Sequence, residues 1–364
     1  MINILLDFIL NIVWGLAKVC KIKKNKITFI SYKSDKIEGD FKLIANQLIK
    51  KEKYQLEFIL IKYNKSILGD FLYLINCIKQ VYHINTSSVV ILDYNNYVVS
   101  KFKKKEVKVV QLWHASGAIK KFGNDVKRRY KIKGYDYVLS TSPVWKKYYS
   151  TAFNVKEENV IELGIPRNDK LFSKKKVEKY VKSVNDMFPI IKGKKVILFA
   201  PTFRGDHIKD ARHEEIHLDY IQSKLGDDYV ILYKLHPWIG DKFISNSSKV
   251  INANNVSIAK LLSASDYLIS DYSSIIFDFS IFEKPIILYT PDLEEYKKEP
   301  GIYLDYEKEV PGPICKSEDE IIELIRNNCF SMEKVKLFKN KFFKYKDTLS
   351  TERVVTFIEE LIGY

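Results

Sequence analysis

YLISDYSSIIFDF, residues 267–279, decides the fold class. The apolar YLIS (267–270) reads as a short strand, and Asp271-Tyr272-Ser273-Ser274 supplies cap-type residues before an apolar periodic run. A strand that passes into a helix through such a cap is one βα unit. The pattern recurs on both sides. In the second half the strand candidates are KVILFAPTF (195–203), YVILYKL (229–235), 250–253 and KPIILY (284–289). An earlier series runs through ITFISY (27–32), LEFILIKY (56–63), VVILDY (89–94), VKVVQLW (107–113), YDYVLS (135–140) and 160–163, with a helix over 41–53. Near-continuous apolar runs suit parallel strands covered on both faces. Two successive series predict an α/β protein with two Rossmann-like, doubly wound domains, 25–190 and 191–364. The charged stretches 173–185 and 192–195 mark the junction, and the last helices, 317–327 and 351–361, fit either domain.

Ligands of such sheets bind outside the carboxyl ends of the strands, so the residues that follow each strand are the places to look for chemistry. The first series offers Trp113-His114-Ala115-Ser116-Gly117. The second offers Thr202-Phe203-Arg204, Lys234-Leu235-His236-Pro237 and Asp271 to Ser274. The chain has no G-x-G-x-x-G, no P-loop, no G-x-S-x-G elbow and no H-E-x-x-H. Dehydrogenase, ATPase, hydrolase and metalloprotease readings therefore lose their strongest support. Cations and hydroxyls at strand ends favour a phosphate-bearing substrate.

Each residue has a plainer alternative. Arg204 is a planar fork suited to phosphate oxygens, or it pairs with Asp206. Lys234 and His236, two apart, emerge on one side of a strand end, or are solvated and structural respectively. Ser273 and Ser274 sit at a helix start that attracts anions, or form an ordinary cap. His114 has the pKa range of a general base at neutral pH, or is a buried structural histidine. His207, His213 and His217 fall in the polar stretch after Arg204, and the four-residue spacing of the last two would suit a metal only on a helix. No metal or cofactor is expected.

The 364 residues carry 60 Lys+Arg and 45 Asp+Glu, a formal net charge of +15, with 46% hydrophobic and 13% aromatic residues. That is globular composition for two domains. The charge is local. Segment 101–133 has ten Lys and two Arg against Glu106 and Asp125, and residues 1–26 carry a net +4. Two patches on an otherwise neutral chain are not a nucleic-acid coat, so no nucleic acid is expected. Within residues 1–24, Asn3, Asp7, Asn11 and Lys18 fall on one helical stripe of an otherwise apolar surface. This N-terminal amphipathic helix either lies in a membrane interface, with the following lysines among anionic head groups, or docks on the protein. Charges that follow the apolar segment do not suit a signal peptide. Cys20, Cys77, Cys315 and Cys329 show no metal or disulfide spacing and read as reduced thiols.

LWHASGAIKKFG (112–123), GIPRND (164–169), APTFR (200–204), KLHP (234–237), SDYSSIIFDF (270–279) and KPIILYTPDLEEY (284–296) together resemble the CDP-glycerol glycerophosphotransferases of wall teichoic acid synthesis. The WHASGAIKKFG form, and a length without an extra N-terminal domain, look closer to glycerol-phosphate primases than to the long polymerases. The resemblance implies a GT-B-like fold and transfer of glycerol phosphate from CDP-glycerol to ManNAc-GlcNAc on undecaprenyl diphosphate, with release of CMP. The expected place is the cytoplasmic face of the cell membrane, as a peripheral protein on an anionic surface. On matching positions, His114 would deprotonate the acceptor hydroxyl, and His236 would stabilise the departing CMP with Arg204, Lys234, Ser273 and Ser274. Thr202, Asp271 and Arg167 complete the expected substrate-binding set. Ser270, Phe203, Ala115 and Ser116 depart from the commoner family residues, the last two on the acceptor side. Related polyol-phosphate transferases that extend or decorate a primed glycan are the alternative; a non-catalytic basic membrane module is a distant one.

Overall fold

The computed structural model describes residues 2–63, 66–204, 214–235 and 245–363. It contains two parallel six-stranded sheets. The first comprises β1 (Lys23–Ser31), β2 (Gln55–Leu60), β3 (Ser87–Leu92), β4 (Lys108–Gln111), β5 (Tyr137–Ser140) and β6 (Val160–Glu162), in the order β2-β1-β3-β4-β5-β6. The second comprises β7 (Lys195–Phe199), β8 (Tyr229–Tyr233), β9 (Val250–Asn252), β10 (Tyr267–Ser270), β11 (Ile286–Tyr289) and β12 (Ile314–Cys315), in the order β12-β11-β10-β7-β8-β9. The doubly wound α/β architecture expected from the apolar runs is present. β2, β3, β4, β7 and β8 stop two to four residues short of those runs, because ladder pairing ends where the chain turns out of the sheet. The two-residue β12 is too short to show any periodicity.

Strand order creates one reversal point in each sheet. From β1 the chain goes to β2 on one side and returns to β3 on the other. From β7 it goes outward through β8 and β9, then returns to β10. A doubly wound sheet opens its ligand crevice at such a switch point.

The chain divides into two compact units. One contains 1–114, 122–169 and 347–364; the other contains 115–121 and 170–346. The last helix, Ser350–Ile362, thus belongs to the first unit. Its Val354, Val355, Ile358 and Ile362 pack in the same core as Ile27, Phe29, Val89 and Ile91. Asp169 accepts hydrogen bonds from the Ser350 and Thr351 N–H groups at its start, both at 2.9 Å. The expected junction at 173–185 is a helix, Lys174–Met187, of the second unit, tied by Lys260 Nζ to Ser183 Oγ at 2.9 Å. The second core joins Ile197, Ile231, Ile269 and Ile287 to Ile221, Ile321 and Ile325 of two covering helices.

Gly312 packs so closely on β11 that an added Cβ would overlap the Ile286 carbonyl. Gly312→Ala is expected to destabilise the second unit by about 1–3 kcal/mol, as overpacking does. An unchanged denaturation midpoint would show that the backbone there gives way freely.

The N-terminal helix, Ile2–Lys18, docks on the first unit and also leaves an apolar ridge outside. Leu10 and Ala17 are buried and Trp14 meets Phe102 edge-on at 6.1 Å. Asp7, part of the expected polar stripe, faces the protein and accepts from Tyr97 Oη and, at 2.6 Å, from Lys101 Nζ. Phe8 and Leu16 stay 63% and 69% exposed. No helix among the described residues is long and apolar enough to cross a membrane.

Candidate active site

In the first unit, His114 lies three residues beyond β4. Trp113 takes φ +61°, a left-handed backbone that a bulky side chain rarely adopts. Gln111 holds this turn: Trp113 N–H donates to its Oε1 at 2.9 Å, and its Nε2 donates to the Tyr94 carbonyl at 3.0 Å. The His114 ring stacks on Tyr94 at 4.4 Å and 10°, with Trp113 tilted against it at 3.8 Å. Arg167 Nη1 donates to the His114 carbonyl at 2.7 Å, while its backbone N–H and Nε donate to buried Asp40 at 2.7 and 2.8 Å. Arg167, expected to hold substrate, braces the main chain of the histidine.

In the second unit the ends of β7 and β10 meet at the switch point. Arg204 is 8% exposed, and its fork is engaged by carboxylates. Nη1 donates to Asp271 at 2.8 Å, and Nε and Nη2 donate to Asp292 at 2.8 and 3.2 Å. The Thr202 N–H donates to the other Asp271 oxygen at 2.8 Å. Burial pushes the Asp271 carboxyl up, against the pull of Arg204. Burial also opposes ionisation of Asp292, yet hydrogen bonds from Arg204 and Tyr272 hold its carboxyl below the usual range. Tyr272 and Tyr296 stack at 3.7 Å, with the guanidinium 5.0 and 4.9 Å from their centres. Arg204 therefore fixes the strand ends rather than presenting an open fork.

Asp271 is consequently not the helix cap. The helix after it is Ile275–Ser280, under two turns long, with Ser274 at its cap position and no side-chain cap bond. The Ser273 and Ser274 hydroxyls and the first N–H groups are what this start offers an anion. Lys234 Nζ donates to the Asn254 carbonyl at 2.6 Å, and burial lowers its pKa. His236, His207 and His213 lie outside the described residues, as does Asp206. His217 is exposed, its Nδ1 2.9 Å from Glu318.

Lys120 and Asp292 escaped the sequence reading. The segment 115–121 is held in the second unit by Lys121 N–H to Gly301 O at 2.9 Å, Tyr303 N–H to Ile119 O at 2.8 Å, and Ser116 Oγ to Asp278. This places the Lys120 ammonium 5.1 Å over the Phe203 ring, with no ion pair among the described residues. Burial lowers its pKa while nearby Asp271 works the other way. A desolvated cation with no ion pair among the described residues, at the strand ends of a switch point, can take an anion. In the sequence Lys120 was one basic residue among twelve, and Asp292 had no distinguishing spacing.

Two parallel α/β units, each with polar strand ends at its switch point, make a GT-B-like fold. Residues 13–360 match the family CDP-Glycerol:Poly(glycerophosphate) glycerophosphotransferase, and the chain belongs to it. It is 30% identical over 367 residues to the teichoic acid ribitol-phosphate primase of Bacillus spizizenii, covering 95% of this chain and 94% of that one. It is 34% identical to the teichoic acid glycerol-phosphate primase of Bacillus subtilis, over 79% of this chain and 78% of the relative. The poly(ribitol-phosphate) polymerase of B. spizizenii is 32% identical over 94% of this chain, which spans 57% of that longer protein. The solved structure of the wall teichoic acid polymerase TagF superposes with a TM-score of 0.76 at 23% identity, covering 97% of this chain and 93% of the solved chain. The protein is thus a polyol-phosphate transferase of the teichoic acid family.

Proposed function

We propose that the protein primes wall teichoic acid, moving one glycerol phosphate from CDP-glycerol to undecaprenyl-diphosphate-linked ManNAc-GlcNAc. The observation that supports this reading is the Lys120 ammonium beside the Thr202–Arg204 and Asp271–Ser274 strand ends. Such a set suits the donor diphosphate, and phosphoryl transfer is mainly positioning and charge neutralisation. His114 takes the proton of the acceptor hydroxyl. The freed oxygen attacks the glycerol-bearing phosphorus, the bond from that phosphorus to the bridging oxygen breaks, and CMP leaves with the electron pair. Lys120, Lys234, Ser273 and Ser274 neutralise the diphosphate, and His236 is assigned to the departing CMP by its place in KLHP. Arg204 acts indirectly by holding Asp271, and Arg167 acts through His114.

Incubation with CDP-glycerol and either the bare or the already primed lipid, followed by mass analysis, tests the reading. One added glycerol phosphate on the bare lipid is expected. A chain of units, or reaction only with the primed lipid, selects an extending or decorating transferase. The near full-length match to a ribitol-phosphate primase favours CDP-ribitol as the second donor to test.

We assign the protein to the cytoplasmic membrane face as a peripheral protein, through the ridge formed by Phe8 and Leu16. The double variant F8E/L16E is expected to lose most co-sedimentation with anionic vesicles. Sedimentation equal to wild type would refute the attachment.

A further inference from the structure

The first unit contains a cavity of about 1560 Å³ that the chemistry above leaves unused. Ser31, the last residue of β1, Tyr32 just past it, and Tyr94 and Asn95, just past β3, line it. These are the two strand ends of the first switch point, where an open α/β sheet takes its ligand. The volume exceeds the roughly 300–1,000 Å³ of a small-molecule pocket, so the occupant is a long molecule.

Three kinds of wall describe that occupant. The first is aromatic: Tyr32 lies 4.8 Å from Tyr94, which stacks on His114 at 4.4 Å. A path of rings therefore leads from the cavity to the proposed base. Tyr63–Tyr73 and Tyr97–Tyr130 pairs, at 5.3 and 5.2 Å, extend the aromatic lining. Among these rings, Asn95 Oδ1 is buried without a hydrogen-bond partner among the described residues, as is Oδ1 of Asp93 two residues earlier in the chain. A buried acceptor left unpaired costs about 1–3 kcal/mol, which a hydroxyl-rich ligand offsets by donating to it. Flat apolar faces combined with many hydroxyls are the properties of a sugar.

The second wall is cationic. Arg128, Arg129, Lys131 and Lys133 line the cavity, and none forms an ion pair with a carboxylate among the described residues. The acids that share the lining are engaged: Asp7 accepts from Tyr97 and Lys101, and Asp70 Oδ1 accepts from Tyr63 Oη at 2.6 Å. Arg128 Nε donates to the Tyr130 carbonyl at 3.3 Å, and arginines without a carboxylate partner suit a diphosphate. The third wall is apolar. Leu6 and Ile9 come from the N-terminal helix, and Ile67, Phe71 and Leu74 come from the helix Ile67–Thr86. Ile67 and Phe71 are 93% and 57% exposed. Apolar residues that run from a cavity to the open surface suit a hydrocarbon chain whose remainder lies outside the protein.

We infer that this cavity binds a lipid-linked sugar diphosphate whole, with sugar on the Tyr32–Tyr94 rings and Asn95, diphosphate on Arg128 and Arg129, and the first chain carbons along Ile67 and Phe71. The inference rests on the proposed function only for the acceptor's role in transfer; binding is a separate matter. It assigns part of the 101–133 charge to one ligand group instead of a general surface field.

Binding by the full-length protein tests it, using calorimetry with three soluble probes: a short-prenyl diphosphate carrying ManNAc-GlcNAc, the same prenyl diphosphate without sugar, and the free disaccharide. The complete probe is expected to bind at least tenfold tighter than either part. R128A/R129A should weaken both diphosphate probes tenfold or more and leave the free disaccharide unchanged. Tyr32→Ala should weaken only the sugar-bearing probes. CDP-glycerol binding equal to wild type in each variant establishes that the variant is folded; a variant that fails this control is replaced by R128Q/R129Q or Tyr32→Leu. Failure of wild type to bind the complete probe overturns the inference, as does binding unaffected by the variants. Binding as expected without transfer of any polyol phosphate would leave the inference standing and remove the primase reading.

Discussion

His114→Ala is expected to lower turnover by about 10²–10⁴-fold, equivalent to roughly 2.7–5.4 kcal/mol of barrier, with CDP-glycerol binding unchanged. The expectation rests on more than the presence of an imidazole. Its ring is fixed between Tyr94 and Trp113. Its main chain is tied to Arg167 and follows a left-handed tryptophan that the Gln111 side chain holds in place. Backbone strain of this kind, of order 1–3 kcal/mol, persists where neighbouring structure over-determines it. A histidine with only a packing role would not need such a mount. His114→Ala should therefore reduce kcat with little effect on the donor KM, and turnover within a few-fold of wild type would end the general-base assignment. Arg167→Lys separates mounting from chemistry, since lysine cannot hold both Asp40 and the His114 carbonyl. It should lower kcat less than the alanine variant does.

Arg204→Met is expected to destabilise the second unit by about 3–5 kcal/mol, read as a fall in denaturation midpoint at unchanged m-value. Removing the guanidinium leaves buried Asp271 and half-buried Asp292 as carboxylates whose shared partner is gone. It also removes the cation packed on Tyr272 and Tyr296. The alternative role has an opposite signature. If Arg204 chiefly forked a substrate phosphate, the variant would lose activity with its midpoint intact. An unshifted midpoint would therefore return Arg204 to direct phosphate binding.

The strands were legible because their signal is local. Continuous apolar runs such as 195–199 and 267–270 need only their own residues to declare that both faces are covered. The residues just past each strand could be named for the same reason, and the strand-end motifs from His114 to Ser274 carried the family. Side-chain partners were not legible. Arg204 pairs with carboxylates 67 and 88 positions away, and no periodicity within one element encodes a partner in another. Asp206, the plainer alternative partner, lies outside the described residues. Lys120 went unnoticed because a charge count treats every lysine alike, whereas its surroundings in the fold leave it desolvated and with no ion pair among the described residues.

The amino-acid sequence by itself determined two parallel α/β series, a candidate base after the fourth strand and a cationic, hydroxyl-bearing set in the second half, because these follow from short-range pattern. Only the tertiary structure decided strand order, and with it which strand ends meet: β1 with β3, and β7 with β10. Strand order is set by burial and pairing between segments tens of residues apart, so it leaves no trace in any one of them. That non-local choice created the tyrosine-lined cavity and turned Arg204 from an open fork into the brace of its own strand ends.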